Sequence, residues 1–329
     1  MTDRAIGYQQ CRYVLVASVG RGNWGDEAML VAALARYGAA NSVVLSVEPQ
    51  KTQALHGCQA ISRRAFRTVS QYFQNGAVLV FIGGSQFQNI TSWGSLLYHA
   101  LLVLLARTWG ATVIMEGQGW GPFTNSLAEG LAMLCLRLAR QVEFRDARAY
   151  ERLKTLGPPM ALGLDPVFRL PIKVIPYKMV KRSVALVLRP HALLTEERRQ
   201  TLYQFCQSLQ TRWGKRLFFI PLALPEDLAL AEWFVTRLQT GDLPATLVRS
   251  ENLDTLMNAI KAMQLVFSMR YHGCVFAEWL QVDYVGLSYD PKVQHHCELF
   301  KRPCLPIHDL NADTLHYLWV HYLESVQVS

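Results

Sequence analysis

Residues 13–28 read YVLVASVGRGNWGDEA, an apolar run followed by a glycine-rich turn and the start of a helix. The apolar, β-branched residues 13–17 are typical of a buried strand, and the polar residues after the turn are typical of a helix N-terminus. A strand that passes through a tight turn into a helix is the repeating unit of parallel α/β sheets. This stretch therefore predicts a Rossmann-like domain.

The same alternation of short apolar runs and amphipathic segments continues along the chain. In the first half the predicted strands are residues 13–17, 42–46, 77–82, 112–116 and 141–144. In the second half they are residues 183–188, 216–220, 246–248, 265–267 and 284–288. Two such series predict an α/β fold of two Rossmann-like domains with parallel sheets and an active site in the cleft between them.

A proline-rich segment separates the two series. Residues 157–176 contain five prolines, at positions 158, 159, 166, 171 and 176, and cannot sustain a helix or a central strand. We therefore expect an N-terminal domain at 1–165, a linker at 166–181 and a C-terminal domain at 182–329. A last helix near residues 312–324 either closes the second domain or crosses back to the first.

Composition and hydropathy limit the classes of protein that fit. The 329 residues are 51% hydrophobic and 18% charged, which is the composition of a folded globular protein. The most apolar stretch, residues 96–115, contains His99 and Arg107, and its uninterrupted part is far shorter than the roughly 18 residues that span a bilayer. Residues 1–10 do not resemble a signal peptide, so we expect a cytoplasmic protein.

Cysteines and charge narrow the set of partners. The seven cysteines form no Cys-x-x-Cys pair, which argues against a disulfide framework and a zinc site and favours reduced thiols. The formal net charge of +8 favours acidic partners. Because basic pairs are dispersed along the chain, nucleic acid is not an expected partner. A charged substrate, peripheral attachment to the inner face of the plasma membrane and a merely solvated basic surface all remain open.

Polar residues follow the predicted strands of the first domain, where ligands of open α/β sheets bind. Asn23, Gly25 and Asp26 lie in the first glycine-rich turn, which either approaches a ligand or simply caps the helix. Gln118 follows the fourth predicted strand and offers an amide suited to sugar hydroxyls. Trp120, in the same turn, either stacks on a sugar ring or packs in the core.

Cations at helix starts form a second group of candidates. Arg145 precedes Asp146, the expected N-cap of a helix, and a cation there opposes the helix dipole unless an anion is shared. Arg270, His272 and Lys292 stand at two neighbouring helix starts of the second domain. A multiply anionic ligand is the simplest compensation, and solvated side chains are the alternative for each residue taken alone.

Six motifs, taken in this order, resemble those of the polysaccharide pyruvyl transferase family, and of its CsaB-like members in particular. They are Gly22-Asn23-Trp24-Gly25-Asp26-Glu27-Ala28, Gly117-Gln118-Gly119-Trp120-Gly121-Pro122, Arg145-Asp146, Asp165-Pro166, Met269-Arg270-Tyr271-His272-Gly273 and Ser288-Tyr289-Asp290-Pro291-Lys292. The resemblance extends from about the first strand to the helix after Lys292. One departure is Ser85, where family members tend to have a third glycine after Gly83-Gly84, so close backbone approach at that loop is in doubt.

The resemblance implies a fold similar to GT-B glycosyltransferases and transfer of pyruvate from phosphoenolpyruvate to a sugar as a cyclic ketal. It implies activity roles for Asp26, Arg145, His272 and Lys292. Arginine forks and a lysine point charge suit the carboxylate and phosphate of phosphoenolpyruvate. The acceptor would be a sugar of a cell-envelope glycan or its lipid-linked precursor.

Our hypothesis is that Asp26 and His272 form the acid/base pair, in an order that the sequence leaves open. Arg145, Arg270 and Lys292 would hold the two anionic groups of the donor, while the helix start at Asp26 would face the acceptor; Asn23, Gly25 and Gln118 would also bind substrate. The N-terminal domain is the expected acceptor side and the C-terminal domain the expected phosphoenolpyruvate side. No cofactor is implied. His295, His296 and Cys297 are adjacent on a predicted helix and do not face one another, so they predict no metal site.

Two other functions fit the same sequence. A GT-B nucleotide-sugar glycosyltransferase would use Arg270 and Lys292 to hold a diphosphate. A catalytically silent protein that binds anionic glycans is also compatible with the pattern, because a fold by itself does not imply chemistry.

Overall fold

The structure is a computed structural model that describes residues 11–90, 92–171, 180 and 182–327. The chain divides into two compact units, Met1–Pro171 and Ile172–Ser329. Each unit is a parallel β-sheet with helices packed against it. The expected fold class, two Rossmann-like α/β domains, is confirmed.

The first unit contains a seven-stranded sheet in the order β3-β2-β1-β4-β5-β6-β7, with every described pair parallel. Its strands are Tyr13–Val16 (β1), Ser42–Ser46 (β2), Gln59–Ser62 (β3), Val78–Gly84 (β4), Val113–Gln118 (β5), Gln141–Phe144 (β6) and Met160–Leu162 (β7). Its α-helices are Trp24–Tyr37 (α1), Pro49–His56 (α2), Phe66–Gln74 (α3), Trp93–Thr108 (α4), Ser126–Leu138 (α5) and Ala147–Leu153 (α6), with 3-10 helices at Ala39–Asn41 and Pro166–Arg169.

Alternate residues of the central strands bury the two faces of this sheet. Val14 and Val16 of β1 belong to the larger core, which also contains the buried residues of α3, α4, α5 and α6. Leu15 belongs to a second core with Leu30 of α1. Because both faces are covered, the strands are nearly continuous apolar runs, and this is why the sequence predicts them well.

The second unit contains a six-stranded sheet in the order β10-β9-β8-β11-β12-β13, again with parallel pairs. Its strands are Ser183–Val187 (β8), Arg216–Phe219 (β9), Ala245–Leu247 (β10), Leu265–Ser268 (β11), Asp283–Ser288 (β12) and Cys304–Pro306 (β13). Its α-helices are Glu196–Thr211 (α7), Leu228–Thr240 (α8), Leu253–Lys261 (α9), Tyr271–Trp279 (α10), Pro291–Leu299 (α11) and Ala312–Gln327 (α12), with a 3-10 helix at Ile307–Asp309.

The last helix closes the second unit. Leu315 and Trp319 of α12 are fully buried in the core that also contains Leu202 and Leu209 of α7. Of the two expectations for this helix, the described residues support packing within its own unit.

The proline-rich segment differs in part from the expected linker. Residues 166–171 belong to the first unit, and Pro166–Arg169 is a 3-10 helix that packs against α1. Residues 172–179 and 181 of the expected linker lie outside the described residues. Among the described residues, no helix is long and apolar enough to cross a membrane.

The strand order defines where a ligand would bind in each unit. After β1 the chain runs outward through β2 and β3 and then returns to β4 on the other side, so β1 and β4 are neighbours whose connections diverge. The same reversal occurs at β8 and β11. Ligands of open α/β sheets bind at such positions, beside the carboxyl ends of the strands. The candidate residues follow these strands or their neighbours.

Candidate functional site

In the first unit, the turn after β1 is held by its own side chains. Asn23 caps α1, with its Oδ1 accepting a hydrogen bond from the Gly25 N–H at 3.1 Å. The Asn23 Nδ2 donates to Asp26 Oδ2 at 2.7 Å. Asn23, Gly25 and Asp26 therefore form one connected cap, and Asp26 is partly exposed on the first turn of α1.

A buried pair fixes the glycine part of the same turn. Glu27 Oε1 accepts the Gly20 N–H at 2.9 Å, and Glu27 Oε2 lies 2.7 Å from His56 Nε2. Both side chains are about 95% buried, at 4% and 5% exposure. The anion beside this glycine turn is thus the protein's own carboxylate. The sequence does not reveal that Glu27 holds the turn through His56, because His56 is 29 positions away along the chain.

Two buried amides lie at the ends of neighbouring strands. Gln86, after β4, donates from Nε2 to the Val16 carbonyl of β1 at 3.0 Å. Gln118, the last residue of β5, donates to the carbonyls of Glu116 at 3.0 Å and Phe81 at 3.3 Å. Within the described residues neither Oε1 has a hydrogen-bond partner, although both side chains are buried. Each oxygen can accept a hydrogen bond from a hydroxyl group.

Other polar residues of these loops hold the loops together. Asn89 donates from Nδ2 to Thr124 Oγ1 at 2.6 Å and accepts the Thr124 N–H through Oδ1 at 2.9 Å. Trp120 packs edge-to-face on Phe123 and Phe144, with ring centroids 5.3 Å and 6.4 Å away. Of the two interpretations of Trp120, these contacts favour packing.

The glycines after β4 and β5 are explained by close packing. A Cβ on Gly83 would lie 2.4 Å from Met29 Sδ, and a Cβ on Gly117 would lie 2.5 Å from Pro166 Cδ. Both glycines have positive φ, +78° and +55°. Ser85 fits beside Gly119, where an added Cβ would lie 2.6 Å from Ser85 Oγ. The Ser85 side chain therefore packs against the Gly119 backbone.

Arg145 forms a buried ion pair. Its guanidinium Nη1 donates to Asp165 Oδ2, and the two side chains are 7% and 1% exposed. Asp165 Oδ1 accepts the Val167 N–H at 3.0 Å and so caps the 3-10 helix. The expected N-cap role of Asp146 is confirmed, since its side chain accepts the Arg148 N–H at 2.9 Å.

In the second unit, Arg270 follows β11 and binds two carboxylates. Its Nε lies 3.1 Å and 3.0 Å from the two oxygens of Asp227, which is fully buried. Its Nη2 bonds Asp227 and lies 3.0 Å from Glu226 Oε2. Burial by itself would lower the pKa of Arg270, but the hydrogen bonds and charges of Asp227 and Glu226 raise it. Arg270 is therefore a permanent, rigidly held cation.

Glu226 links Arg270 to the end of β8. Arg189 donates from Nη2 to Glu226 Oε1 at 2.8 Å and from Nη1 to the Tyr289 hydroxyl at 2.6 Å. Burial would raise the pKa of Glu226, but the hydrogen bond and charge of Arg270, followed by those of Arg189, lower it. The ends of β8, β11 and β12 thus converge through Arg189, Glu226, Arg270 and Tyr289.

Lys292 and His272 stand on the helices that follow β12 and β11. Asp290 caps α11 by accepting the Lys292 N–H at 3.0 Å, and its other oxygen lies 3.2 Å from Lys292 Nζ. Pro291 is the first residue of α11. His272, in the first turn of α10, is partly buried against Tyr271 and Phe276.

The helix start at His272 depends on one glycine. A Cβ on Gly273 would lie 2.2 Å from Ser268 Oγ, and that hydroxyl bonds the Arg270 carbonyl at 2.8 Å. Gly273 therefore lets α10 begin directly against the end of β11, which fixes the positions of Arg270 and His272.

These contacts correct one step of the sequence argument. The cations at helix starts predict an external anion, but the structure gives Arg145, Arg270 and Lys292 protein carboxylates at Asp165, Asp227 and Asp290. Charge imbalance alone therefore no longer implies a ligand. Among the described residues no group of three or more His, Cys, Asp or Glu side chains is arranged to hold a metal ion.

Most of the chain matches a known protein family. A family profile described as polysaccharide pyruvyl transferase matches residues 23–291, which is most of the chain. The chain belongs to the polysaccharide pyruvyl transferase family. The matched range contains every candidate residue except Lys292, which follows its last residue. A comparison with curated proteins finds no match to this sequence.

Several solved structures share the fold of this pyruvyl transferase family member. A putative UDP-N-acetylglucosamine 2-epimerase from Listeria monocytogenes is 14% identical, with a TM-score of 0.66 over 95% of this chain and 87% of that one. The S. aureus MnaA–UDP structure is 10% identical, with a TM-score of 0.66 over 94% and 87% of the chains. Anabaena HepE with UDP and glucose is 11% identical, with a TM-score of 0.60 over 93% and 89%. At these identities the likeness shows a GT-B-like fold.

Proposed function

We propose that this transferase moves pyruvate from phosphoenolpyruvate to a sugar of a cell-envelope glycan, or of its lipid-linked precursor, as a cyclic ketal. The observation that carries the proposal is the family match over residues 23–291, which includes candidate residues of both units. We further propose that the enzyme needs no cofactor and acts in the cytoplasm, at the inner face of the plasma membrane.

The first unit supplies the groups that we assign to the acceptor. Gln118 has a buried Oε1 that accepts no hydrogen bond within the described part of the chain, and a sugar hydroxyl is a suitable donor. The cap formed by Asn23, Gly25 and Asp26 lies after β1, at the position where the strand connections diverge. A carboxylate held by Asn23 is suited to accept a proton from a hydroxyl.

The second unit supplies the groups that we assign to the donor. Arg270 is fixed by Asp227 and Glu226, so its guanidinium is already oriented before an anion binds. Lys292 is 37% exposed and can turn from Asp290 to a phosphate. Arg145, which belongs to the first unit, enters the proposal as a third donor-binding cation, and its Nη1 is bound to Asp165.

The proposed reaction has two additions at one carbon. An acid protonates the methylene carbon of phosphoenolpyruvate, and a sugar hydroxyl adds to the neighbouring carbon as it loses its proton to the base. The C–O bond to phosphate then breaks as the base returns its proton to the departing phosphate, and a second hydroxyl adds in its place and gives its proton to the acid residue, leaving the ketal and inorganic phosphate. Asp26 and His272 are the proposed acid/base pair, and the assignment of each step stays open.

Single substitutions test these roles. We expect His272→Ala and Lys292→Ala each to reduce acceptor-dependent phosphate release by at least about a hundredfold, because each removes a group acting on the reacting molecule. The matched controls are His308→Ala and Lys51→Ala, which change an exposed histidine and an exposed lysine that form surface ion pairs. Full activity in His272→Ala or Lys292→Ala, with normal folding, would contradict the assignment.

The product must be measured as well as the phosphate. Lipid-linked and aryl glycosides should be screened for the mass added by one pyruvyl ketal. Transfer of a sugar from a UDP-sugar without any ketal would support the nucleotide-sugar glycosyltransferase. This alternative is favoured by neighbours whose structures contain UDP. Binding of anionic glycans without either product would indicate a silent binding protein.

A further inference from the structure

Helix α4 is apolar on all sides, but the sheet covers only one side of it. Leu96, Ala100 and Val103 are buried in the larger core of the first unit. On the other side Trp93, Leu97, Leu101 and Leu104 are exposed, the two middle leucines by 53% and 47%. Their spacing of four, four and three residues places them in a single stripe along the helix.

The exposed apolar residues continue beyond this stripe. Helix α5 packs beside α4 on the same face of the sheet and exposes Leu127, by 73%, and Leu134. Ile90 and Trp109, which flank α4 in the sequence, are also exposed. We call these eight residues the α4 surface: Ile90, Trp93, Leu97, Leu101, Leu104, Trp109, Leu127 and Leu134. Monomeric soluble proteins rarely expose so many large apolar side chains together, and such patches commonly mark interaction sites.

Basic side chains are concentrated in the sequence segment that contains α3 and α4. No aspartate or glutamate occurs between Glu48 and Glu116, whereas Lys51, Arg63, Arg64, Arg67 and Arg107 do. The Arg63 guanidinium lies 4.2 Å from the centre of the Tyr98 ring on α4. Arg67 is exposed on α3, which packs against α4. Basic side chains therefore border the apolar stripe.

We propose that the α4 surface binds the head-group region of an anionic lipid membrane. An apolar helix face lined by arginines, with tryptophans near both helix ends, has the composition of interfacial membrane-binding helices. A second copy of the chain fits less well, because the arginines beside α4 would meet the same basic segment, in which residues 49–115 contain no carboxylate, and Glu129 of α5 is already paired with Arg152. Anionic phospholipids supply both the apolar phase and the negative charge.

Attachment through this surface suits the proposed acceptor. Helix α4 is the next element after β4 along the chain, so its start lies at the same end of the strands as Gln86, which follows β4, and Gln118, the last residue of β5. If pyruvyl transfer to a lipid-linked sugar is correct, which is the proposed function, membrane binding brings this end of the strands close to the lipid-borne substrate. The membrane proposal itself rests on the α4 surface and its charges.

Vesicle co-sedimentation of the full chain tests the proposal. We expect binding to phosphatidylcholine vesicles that contain phosphatidylglycerol, weaker binding without it, and loss of binding at high salt. The double variant Leu97→Gln/Leu101→Gln should bind at least about tenfold more weakly, because two apolar side chains are removed from the lipid contact. Leu162→Gln/Leu299→Gln, which changes two similarly exposed leucines elsewhere, should bind like the unchanged protein.

Electrostatic variants and a second readout complete the test. Arg64→Gln/Arg67→Gln should weaken vesicle binding about fivefold for each arginine. Absence of binding to anionic vesicles, or equal binding by the Leu97→Gln/Leu101→Gln variant, would overturn the proposal. A dimer that this variant converts to a monomer, with vesicle binding unchanged, would assign the surface to self-association instead. Phosphate release with a water-soluble aryl glycoside should be unaffected by the variant, so failure of the proposed function is detected separately.

Discussion

We expect Glu27 to be a positioning residue beside Asp26, one member of the proposed acid/base pair. Its carboxylate joins the Gly20 N–H to His56, and the pair is buried. We expect Glu27→Gln to lower kcat by about tenfold or more with a smaller change in KM, because a charge-assisted contact that fixes the turn before Asp26 is weakened. Steady-state kinetics with an acceptor glycoside measures this split.

The control for this variant is Glu151→Gln, which alters an exposed pair with Lys154. It should leave kcat and KM unchanged, since exposed ion pairs contribute little. A purely structural role of Glu27 would lower the melting temperature of Glu27→Gln without changing kcat per folded molecule. That result would contradict the positioning role.

Asp227 and Glu232 allow a comparison of a buried and an exposed ion pair. Asp227→Ala leaves Arg270 buried without its main partner and removes the acceptor of the Leu222 and Ala223 N–H groups. We expect its free energy of unfolding to fall by about 3–5 kcal/mol. Glu232→Ala, which breaks an exposed pair with Arg249, should change it by less than about 1 kcal/mol. Denaturant unfolding measures the loss of unfolding free energy in each variant. Equal losses in Asp227→Ala and Glu232→Ala would show that the buried Arg270 does not need Asp227 for stability.

The counter-ions of Arg145 and Arg270 could not be predicted from the sequence. Arg145 and Asp165 are 20 positions apart, and Arg270 and Asp227 are 43 positions apart. A helix cap involves residues two or three positions apart, so Asp146 and Asp290 could be assigned from the sequence. Ion pairs whose two members are brought together by the sheet topology could not be assigned in this way.

At the scale of elements, His99 of α4 connects the core to the residues that follow β4. Burial and, to a smaller extent, the charge of Arg63 lower the pKa of His99 to about 4, against the opposing effect of hydrogen bonds with the Gln86 and Ser95 main chain. The ring lies against Phe81 and Phe87, with centroids 5.9 Å and 6.0 Å away. His99 is therefore neutral in the folded protein at neutral pH.

This shift predicts acid sensitivity. Between pH about 6.5 and about 4 the unfolded chain binds a proton at His99 and the folded chain does not, so stability falls as pH falls. The total loss from this residue is about 3 kcal/mol. We expect the free energy of unfolding to change less with pH across this range in His99→Leu than in the unchanged protein. His308→Ala, which changes an exposed histidine, should keep the pH dependence of the unchanged protein. Equal slopes for His99→Leu and the unchanged protein would contradict the shifted pKa.

The strands that sequence analysis missed share a position in the sheets. Gln59–Ser62, Met160–Leu162 and Cys304–Pro306 are three or four residues long and are the edge strands β3, β7 and β13. Edge strands bury less apolar surface and tolerate proline, as at Pro306, so they lack the apolar run that marks a central strand. The central strands were predicted to within two residues at each end because both of their faces are buried.

At the scale of the whole molecule, the sequence predicted the architecture better than the surface. Residues 96–115 were analysed only as a membrane span, which they are too short to form. The stripe of exposed residues on α4 could not be recognised, because a helix that is apolar on all sides has no periodic signal showing which side is covered. Only packing against the sheet distinguishes Leu96 from Leu97.

Ligand-dependent thermal stability tests the choice of donor for the whole molecule. A ligand present at about 100 times its Kd stabilises the folded state by about 2.7 kcal/mol, so phosphoenolpyruvate should raise the melting temperature by several degrees. Lys292→Ala should reduce this rise, because the variant removes a cation that we assign to the phosphate, and Lys51→Ala should not. A rise with a UDP-sugar and none with phosphoenolpyruvate would instead assign the cations at the ends of β8, β11 and β12 to a diphosphate.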